Sequence, residues 1–264
     1  MERLRYVARA SGADQGSLVR ETAASLGTFR DEPEAMVMAL RRMLARHPTS
    51  GPLWSLASRV STAVEPMREA RAFIDEFDDD RTGRELAWAL PEGATICVLG
   101  WPDLVAEALP SRGDLTVLVV DAAGEGSGLV RRLRRSDVDA VEVEVNGLGA
   151  AAAESDVILL ESSAVGPDRF LSVSGSYAAA AVARHAGNQV WLVAGAGRLL
   201  PRRLWEVIES RVIGAQEPWE RDDDIVPIDL IDRVAGPWGV EAAVDGLRRV
   251  SCPIAPELFK AGVL

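Results

Sequence analysis

The chain has 264 residues, 48% of them hydrophobic, with 40 acidic against 29 basic side chains and a formal net charge of −11. That length supports one large or two small domains with a sizeable core, and the charge excludes a broad binder of nucleic acid or of an anionic membrane surface. No run approaches the roughly 20 apolar residues of a membrane span, the opening MERLRYVARA lacks the apolar stretch of a secretory signal, and the two cysteines, Cys97 and Cys252, provide neither a disulfide framework nor a metal cluster. The expectation is a soluble, cytoplasmic protein with no metal and no cofactor.

Residues 1–90 read as helical. Asp31 and Glu34 are spaced as a capping box ahead of Met36, Leu40, Met43 and Leu44, which recur at helical spacing. HPTSGP, from His47 to Pro52, breaks that helix and LWSLASRVSTAV restarts it. A longer helical stretch runs from about Glu65 to Leu90, interrupted near Asp78-Asp79-Asp80. That run and Asp222-Asp223-Asp224 read as solvated loops, each beside an arginine, Arg81 or Arg221, without the regular spacing that a bound cation needs.

From Pro91 onward short apolar runs alternate with helical patterns: Ala94–Gly100, Leu115–Asp121, Ala140–Val145, Val157–Leu160 and Gln189–Ala194. Such alternation predicts βαβ units and a Rossmann-like, mostly parallel sheet over residues 91–264, so the fold class is α/β. Cys97 falls inside the first strand as a small buried hydrophobe. Gly124, Gly126 and Gly128 follow the second strand as G-x-G-x-G rather than the dinucleotide fingerprint G-x-G-x-x-G, and read as a turn that lets the next helix pack closely. Val157–Leu160 is a continuous apolar run, as in a strand buried on both faces. Polar residues begin at its end with Glu161, Ser162 and Ser163, and Ser174-Gly175-Ser176 then opens an Ala-rich helix. The free N–H groups of that helix start suit an anion, or the Ser-Gly-Ser serves only as a cap and a point of close packing. Ligands of parallel sheets bind beyond the carboxyl ends of the strands, which directs Gly100, Asp121, Glu161, Ser162 and Gly195 to one crevice with Arg198 at its rim.

The stretch from Val157 to Ser176 resembles, without a gap, a segment of the α/β/δ regulatory subunits of translation initiation factor 2B and of their relatives methylthioribose-1-phosphate isomerase and ribose-1,5-bisphosphate isomerase. That family typically carries a strand ending in Gly-Ala-Asp, an Asn-Lys pair, and Gly-Thr opening an Ala-rich helix. Ser162 falls at the Asp, Ser172 and Val173 fall at Asn-Lys, Gly175 is kept, and Ser176 replaces Thr. ATICVLGWPDLVAEAL is similar to the family's first core strand and helix, with Gly100 at the catalytic Cys. LTVLVVDAAGEGSG is similar to a strand ending in Glu-Ser-Arg-Pro, with Asp121 at the acid, Ala123 at the Arg and Gly128 at the closing Gly. Arg198 takes the place of a family Lys, and VPIDLIDRVAGPWG is similar to the segment near the family's C-terminus.

The resemblance implies a NagB/RpiA/CoA transferase-like fold, pairing into a homodimer through the α/β part, and a ligand site to which the helical part contributes the turn His47–Gly51. It does not carry the isomerase chemistry, because Gly100 and Val173 can neither move a proton nor stabilise charge on a sugar oxygen. The expected function is that of an initiation factor 2B-like regulatory or ligand-binding protein with a sugar-phosphate or nucleotide pocket. Its ligand-binding candidates are Ser162, Gly175, Ser176, Arg198, Asp121, His47 and Ser50, and no catalytic residue is assigned. Two alternatives stand beside it: an aldose–ketose isomerase on a phosphorylated sugar with relocated groups at Ser162, Asp168 or His47, and a structural oligomer subunit.

Overall fold

The computed structural model describes residues 15–122 and 124–259; Ala123 and the opening MERLRYVARA discussed above lie outside the described residues. Helices α1 (Gln15–Ser25), α2 (Pro33–Arg46), α3 (Gly51–Thr62), α4 (Pro66–Asp78) and α5 (Thr82–Ala89) come first. Proline stands in the first turn of α2, α3 and α4, where its fixed φ suits the helix and its missing N–H costs nothing. The predicted capping box does not form. Glu32 is the N-cap of α2, its side chain makes no cap bond, and Pro33 sets the helix start instead of Asp31. The helix expected from Glu65 to Leu90 breaks between Asp78 and Thr82, at the acidic run.

That run is more than a solvated loop. Asp80 Oδ1 accepts from the Thr82 N–H at 2.9 Å and from its hydroxyl at 2.6 Å, and Oδ2 accepts from the Ala196 N–H at 2.8 Å. One carboxylate therefore satisfies donors at the start of α5 and in the loop beyond the central sheet.

The sheet is mostly parallel. It contains β1 (Thr95–Leu99), β2 (Thr116–Val120), β3 (Asp139–Val143), β4 (Val157–Val165), β6 (Gln189–Val193), β8 (Arg233–Gly236) and β9 (Gly239–Ala242), in the order β3-β2-β1-β4-β6-β8-β9. Only β9, paired with β8, is antiparallel along this path. Helices α6 (Asp103–Ala108), α7 (Gly126–Arg135), α8 (Leu148–Glu154) and α9 (Ser176–Ala186) connect these strands; α10 (Arg202–Ala215) and α11 (Ala243–Gly246) lie later in the chain. Alternate strand residues enter different cores. Ile96, Val98, Val157 and Leu159 join one cluster, whereas Cys97, Leu99, Ile158 and Leu160 join another with Ala179, Ala180 and Ala183 of α9. That two-faced burial explains the unbroken apolar runs, and it pushes the Cys97 thiol up to about 12, so that it stays protonated. A third cluster joins α2, α3 and α4 to Leu171, to Leu204, Trp205 and Ile208 of α10, and to Cys252, Ala255 and Leu258. The N-terminal helices thus share their core with later parts of the chain.

The strand expected to end at Leu160 runs on to Val165. Its first half pairs with β6 as far as Glu161↔Val193; from Ser162 it pairs antiparallel with β5 (Arg169–Val173), which in turn pairs antiparallel with β7 (Asp223–Pro227). The register shifts between Ser162 and Ala164, which places Ser163 in a bulge where the chain passes from one sheet to the next. What reads as a polar loop is a hairpin.

Candidate functional site

Strand order reverses between β1 and β4: β2 and β3 lie to one side, β6 and β8 to the other. A doubly wound sheet opens a crevice at such a switch point, beyond the carboxyl ends of the strands. A cavity of about 60 Å³ lies there. Gly100, Trp101 and Pro102 after β1, Ser162 and Ser163 on β4, Glu125, Ser172, Ser176 and Arg198 are among the residues that line it.

Its floor is a buried ion pair. Glu161 Oε1 lies 2.9 Å from an Arg198 terminal nitrogen, and the two side chains are 6% and 8% exposed. Glu161 Oε2 accepts from the backbone N–H groups of Leu104 at 2.8 Å and Val105 at 3.2 Å, at the start of α6. The same Arg198 nitrogen donates to the Ser162 carbonyl. The serines form a relay beside this pair. Ser176 donates to the Ser172 hydroxyl at 2.9 Å, Ser172 donates to the Glu161 carbonyl at 2.8 Å, and Ser162 donates to the Val193 carbonyl at 3.1 Å. Ser163 and Ser50 differ: each hydroxyl is buried without a partner. Gly51, the residue after Ser50, lies against this stretch: a Cβ on it would fall 2.7 Å from the Ser163 carbonyl oxygen and 3.2 Å from Arg198 Cα, an approach only glycine allows.

Of the expected binding residues, Ser162, Ser176 and Arg198 come together in the crevice wall. Ser50 sits one residue before that contact, as the N-cap of α3. His47, at the other end of the turn, is the C-cap of α2 and is not in the wall. Asp121 is not in the wall either; its Oδ1 accepts from the Gly126 N–H at 2.8 Å and so holds the start of α7, while Glu125 of the same loop lines the cavity. Gly175 opens α9 in the left-handed region, at φ +97. The amides expected to face an anion hold a carboxylate of the chain itself: Asp224 Oδ2 accepts from the Gly175 and Tyr177 N–H groups, both at 2.9 Å. Asp222-Asp223-Asp224 is therefore not merely a solvated loop, since Asp223 and Asp224 belong to β7 and Asp223 lines the crevice. Asp168 and Arg202 form an exposed ion pair at 2.7 Å, away from the wall.

Glu125, Trp101 and the α6 amides escaped the sequence reading, and Ser163, named with Glu161 and Ser162 after the apolar run, was not among the binding candidates. Glu125 lay in a glycine turn read only for its backbone, and Ser163 acquires its place from a bulge that leaves no sequence signal.

Two carboxyl groups near the crevice resist ionisation. Burial, together with the charge of Glu161, pushes Asp103 up to about 6. Burial and the neighbouring Asp121 also raise Glu125.

Among solved structures the chain is similar to the eIF2B beta subunit from Chaetomium thermophilum, with a TM-score of 0.68 and 16% identity over 92% of this chain and 85% of that one. It is similar to the translation initiation factor eIF-2B of Pyrococcus horikoshii OT3, with a TM-score of 0.67 and 15% identity over 92% of each chain. A subunit of the tetrameric eIF2B-beta2-delta2 complex from C. thermophilum superposes with a TM-score of 0.73 at 17% identity, over 89% of this chain and 86% of that one. The chain has the fold of the initiation factor 2B subunits. No protein-family model and no curated protein matches it by sequence.

On this initiation factor 2B fold, the positions where the related isomerases were expected to place reactive groups carry Gly100, Ser162 and Val173, all in the crevice wall. Ser162 gives its proton to a backbone carbonyl, and no histidine lines the cavity. The other two groups named for a relocated chemistry, Asp168 and His47, are not brought to Ser162. Among the described residues, no helix is long and apolar enough to cross a membrane.

Proposed function

We propose that the chain is an initiation factor 2B-like regulatory or binding protein that keeps a small-ligand crevice at the switch point of its sheet and does not perform the isomerisation of the related enzymes. One observation carries this reading. The crevice is built and polar, yet the side chains at its three key positions are a hydrogen, a hydroxyl already donating to a carbonyl, and an isopropyl group. None of these shuttles a proton between adjacent carbons at neutral pH. The wild-type protein is expected to give no turnover of methylthioribose-1-phosphate or ribose-1,5-bisphosphate at enzyme concentrations of tens of micromolar. Product formation above the uncatalysed rate, lost in Ser162→Ala, would restore the isomerase reading.

The sequence-based expectation of a phosphate in this crevice has one feature in its favour, Arg198, and two against it. One terminal nitrogen of Arg198 is already engaged by Glu161 and by the Ser162 carbonyl, and the α9 amides hold Asp224. A polar ligand seated among the serines fits better than one held mainly by charge on Arg198.

Residues 1–90 and 91–264 are read as two structural parts that fold as one unit, because the N-terminal helices bury Leu40, Leu53 and Trp54 in one cluster with residues of α10. The protein is placed in the cytoplasm and is read as self-associating, by analogy with an eIF2B-beta2-delta2 complex that is tetrameric. Large exposed side chains such as Trp88 and Trp219, 90% and 80% exposed, support an assembly surface. Light scattering at micromolar concentration is expected to give the mass of a dimer or larger species; a mass near 28.3 kDa removes this part of the proposal.

A further inference from the structure

We infer that the switch-point crevice selects a small hydroxylated ammonium rather than an anion, an inference that rests on reading the crevice as a ligand site. Among the described residues its wall has one cation, Arg198, which pairs with Glu161 at 2.9 Å and donates to the Ser162 carbonyl through the same terminal nitrogen. Acidic side chains outnumber it, since Glu125, Glu161 and Asp223 all line the cavity, and Asp103 directly follows Pro102 in its wall. Burial raises the carboxyls of Glu125 and Asp103, Asp103 to about 6, against the opposing charges of Arg198 and Arg132 on Asp103. An ammonium between them would remove the repulsion and restore ionisation.

A second, independent feature points to a bound molecule. Ser163 is 6% exposed, its hydroxyl is buried without a partner, and the residue lines this cavity from the bulge of β4. A buried hydroxyl normally finds a partner, and one able both to donate and to accept suits a ligand hydroxyl. Trp101 adds an aromatic side chain to the lining of the same cavity, a surface to which a cation is attracted. The cavity of about 60 Å³ limits the size. At roughly 10–15 Å³ for each water-sized unit it holds a molecule of about six non-hydrogen atoms at most.

The test uses serinol, 2-amino-1,3-propanediol, against glycerol, which replaces the ammonium by a hydroxyl at equal size, and against the anions glycolate and inorganic phosphate, which are no larger. Binding is followed on the indole N–H signal of Trp101 in ¹⁵N-labelled full-length protein, assigned with Trp101→Phe. Serinol is expected to bind with a Kd of about millimolar order, as suits so few atoms, and at least tenfold more tightly than glycerol or either anion. Glu125→Gln and Asp103→Asn are each expected to weaken serinol at least threefold and to leave glycerol unchanged. If glycolate or inorganic phosphate binds as tightly as serinol, or if neither variant alters serinol affinity, the ammonium class is overturned while the crevice stands as a ligand site. If none of the four compounds moves the Trp101 signal, the crevice reading falls with it.

Discussion

Replacing Glu161 by alanine is expected to lower stability by about 3–5 kcal/mol, the usual cost of removing one partner of a buried pair. The loss has two parts. Arg198, 8% exposed, would lose its paired carboxylate and keep its bond to the Ser162 carbonyl. The N–H groups of Leu104 and Val105 would lose the carboxylate oxygen that now accepts from both, and unsatisfied donors at a helix start are themselves destabilising. In a chain of this length the midpoint of thermal unfolding should fall by roughly 10 °C. Glu161→Gln should cost less, because an amide oxygen can keep one of the two roles. The double variant Glu161→Ala with Arg198→Met should recover part of the loss, since the uncompensated charge disappears along with its partner. A single-variant loss below about 1 kcal/mol in chemical denaturation, or a double variant less stable than Glu161→Ala alone, would show that the pair is not what holds the ends of β4 and α6 together.

This pair also shows where sequence reasoning reached the site and where it stopped. The periodicity was enough for the parallel strands: β1, β2, β3 and β6 lie within two residues of the expected runs, because strands buried on both faces must be apolar throughout. It was enough to send Glu161, Ser162 and Arg198 to one end of the sheet. It did not tell that Glu161 and Arg198 would pair, since a side chain midway along one strand and another five residues beyond the end of the next carry no pairing signal in one dimension. The antiparallel β5 and β7 were missed for a related reason. Arg169–Val173 and Asp223–Pro227 are short and half polar, and their strand character comes from pairing with each other and with the second half of β4, a tertiary effect that overrides local propensity. Asp224 was read as a loop acid because its charge is visible in the sequence and its partners, the amides of Gly175 and Tyr177, are 49 and 47 residues away. The structural likeness to initiation factor 2B subunits is likewise a property of the fold, at 15–17% identity, while the chemistry of the crevice rests on residues that this chain does not share with the expected motif.

Trp54→Ala is expected to cost about 3–5 kcal/mol, as for other large buried aromatic side chains cut back to a methyl group. Trp54 is fully buried in α3, within the cluster that joins the N-terminal helices to α10. Its indole N–H donates to the Pro48 carbonyl at 2.9 Å, which fixes the turn between α2 and α3. The Arg211 guanidinium of α10 lies 5.2 Å from its ring centroid and donates to the Leu44 carbonyl at 3.0 Å. Burial lowers the Arg211 pKa, so a charge held there depends on such partners. Truncation would open a cavity, release the Pro48 carbonyl and strip the ring from Arg211 in one step. Trp54→Phe keeps most of the packing and loses the hydrogen bond, and should cost about 1–2 kcal/mol. The consequence reaches the crevice, because the turn that Trp54 fixes carries Ser50 and Gly51, and Gly51 packs against the Ser163 carbonyl and Arg198 Cα. Trp54→Phe should therefore perturb the backbone amide signals of Ser163 and Arg198 while leaving those of α7, on the far side of the sheet's switch point, in place. Chemical denaturation that finds less than about 2 kcal/mol for Trp54→Ala, or amide shifts in Trp54→Phe confined to α3, would mean that the helical part does not brace this end of the sheet.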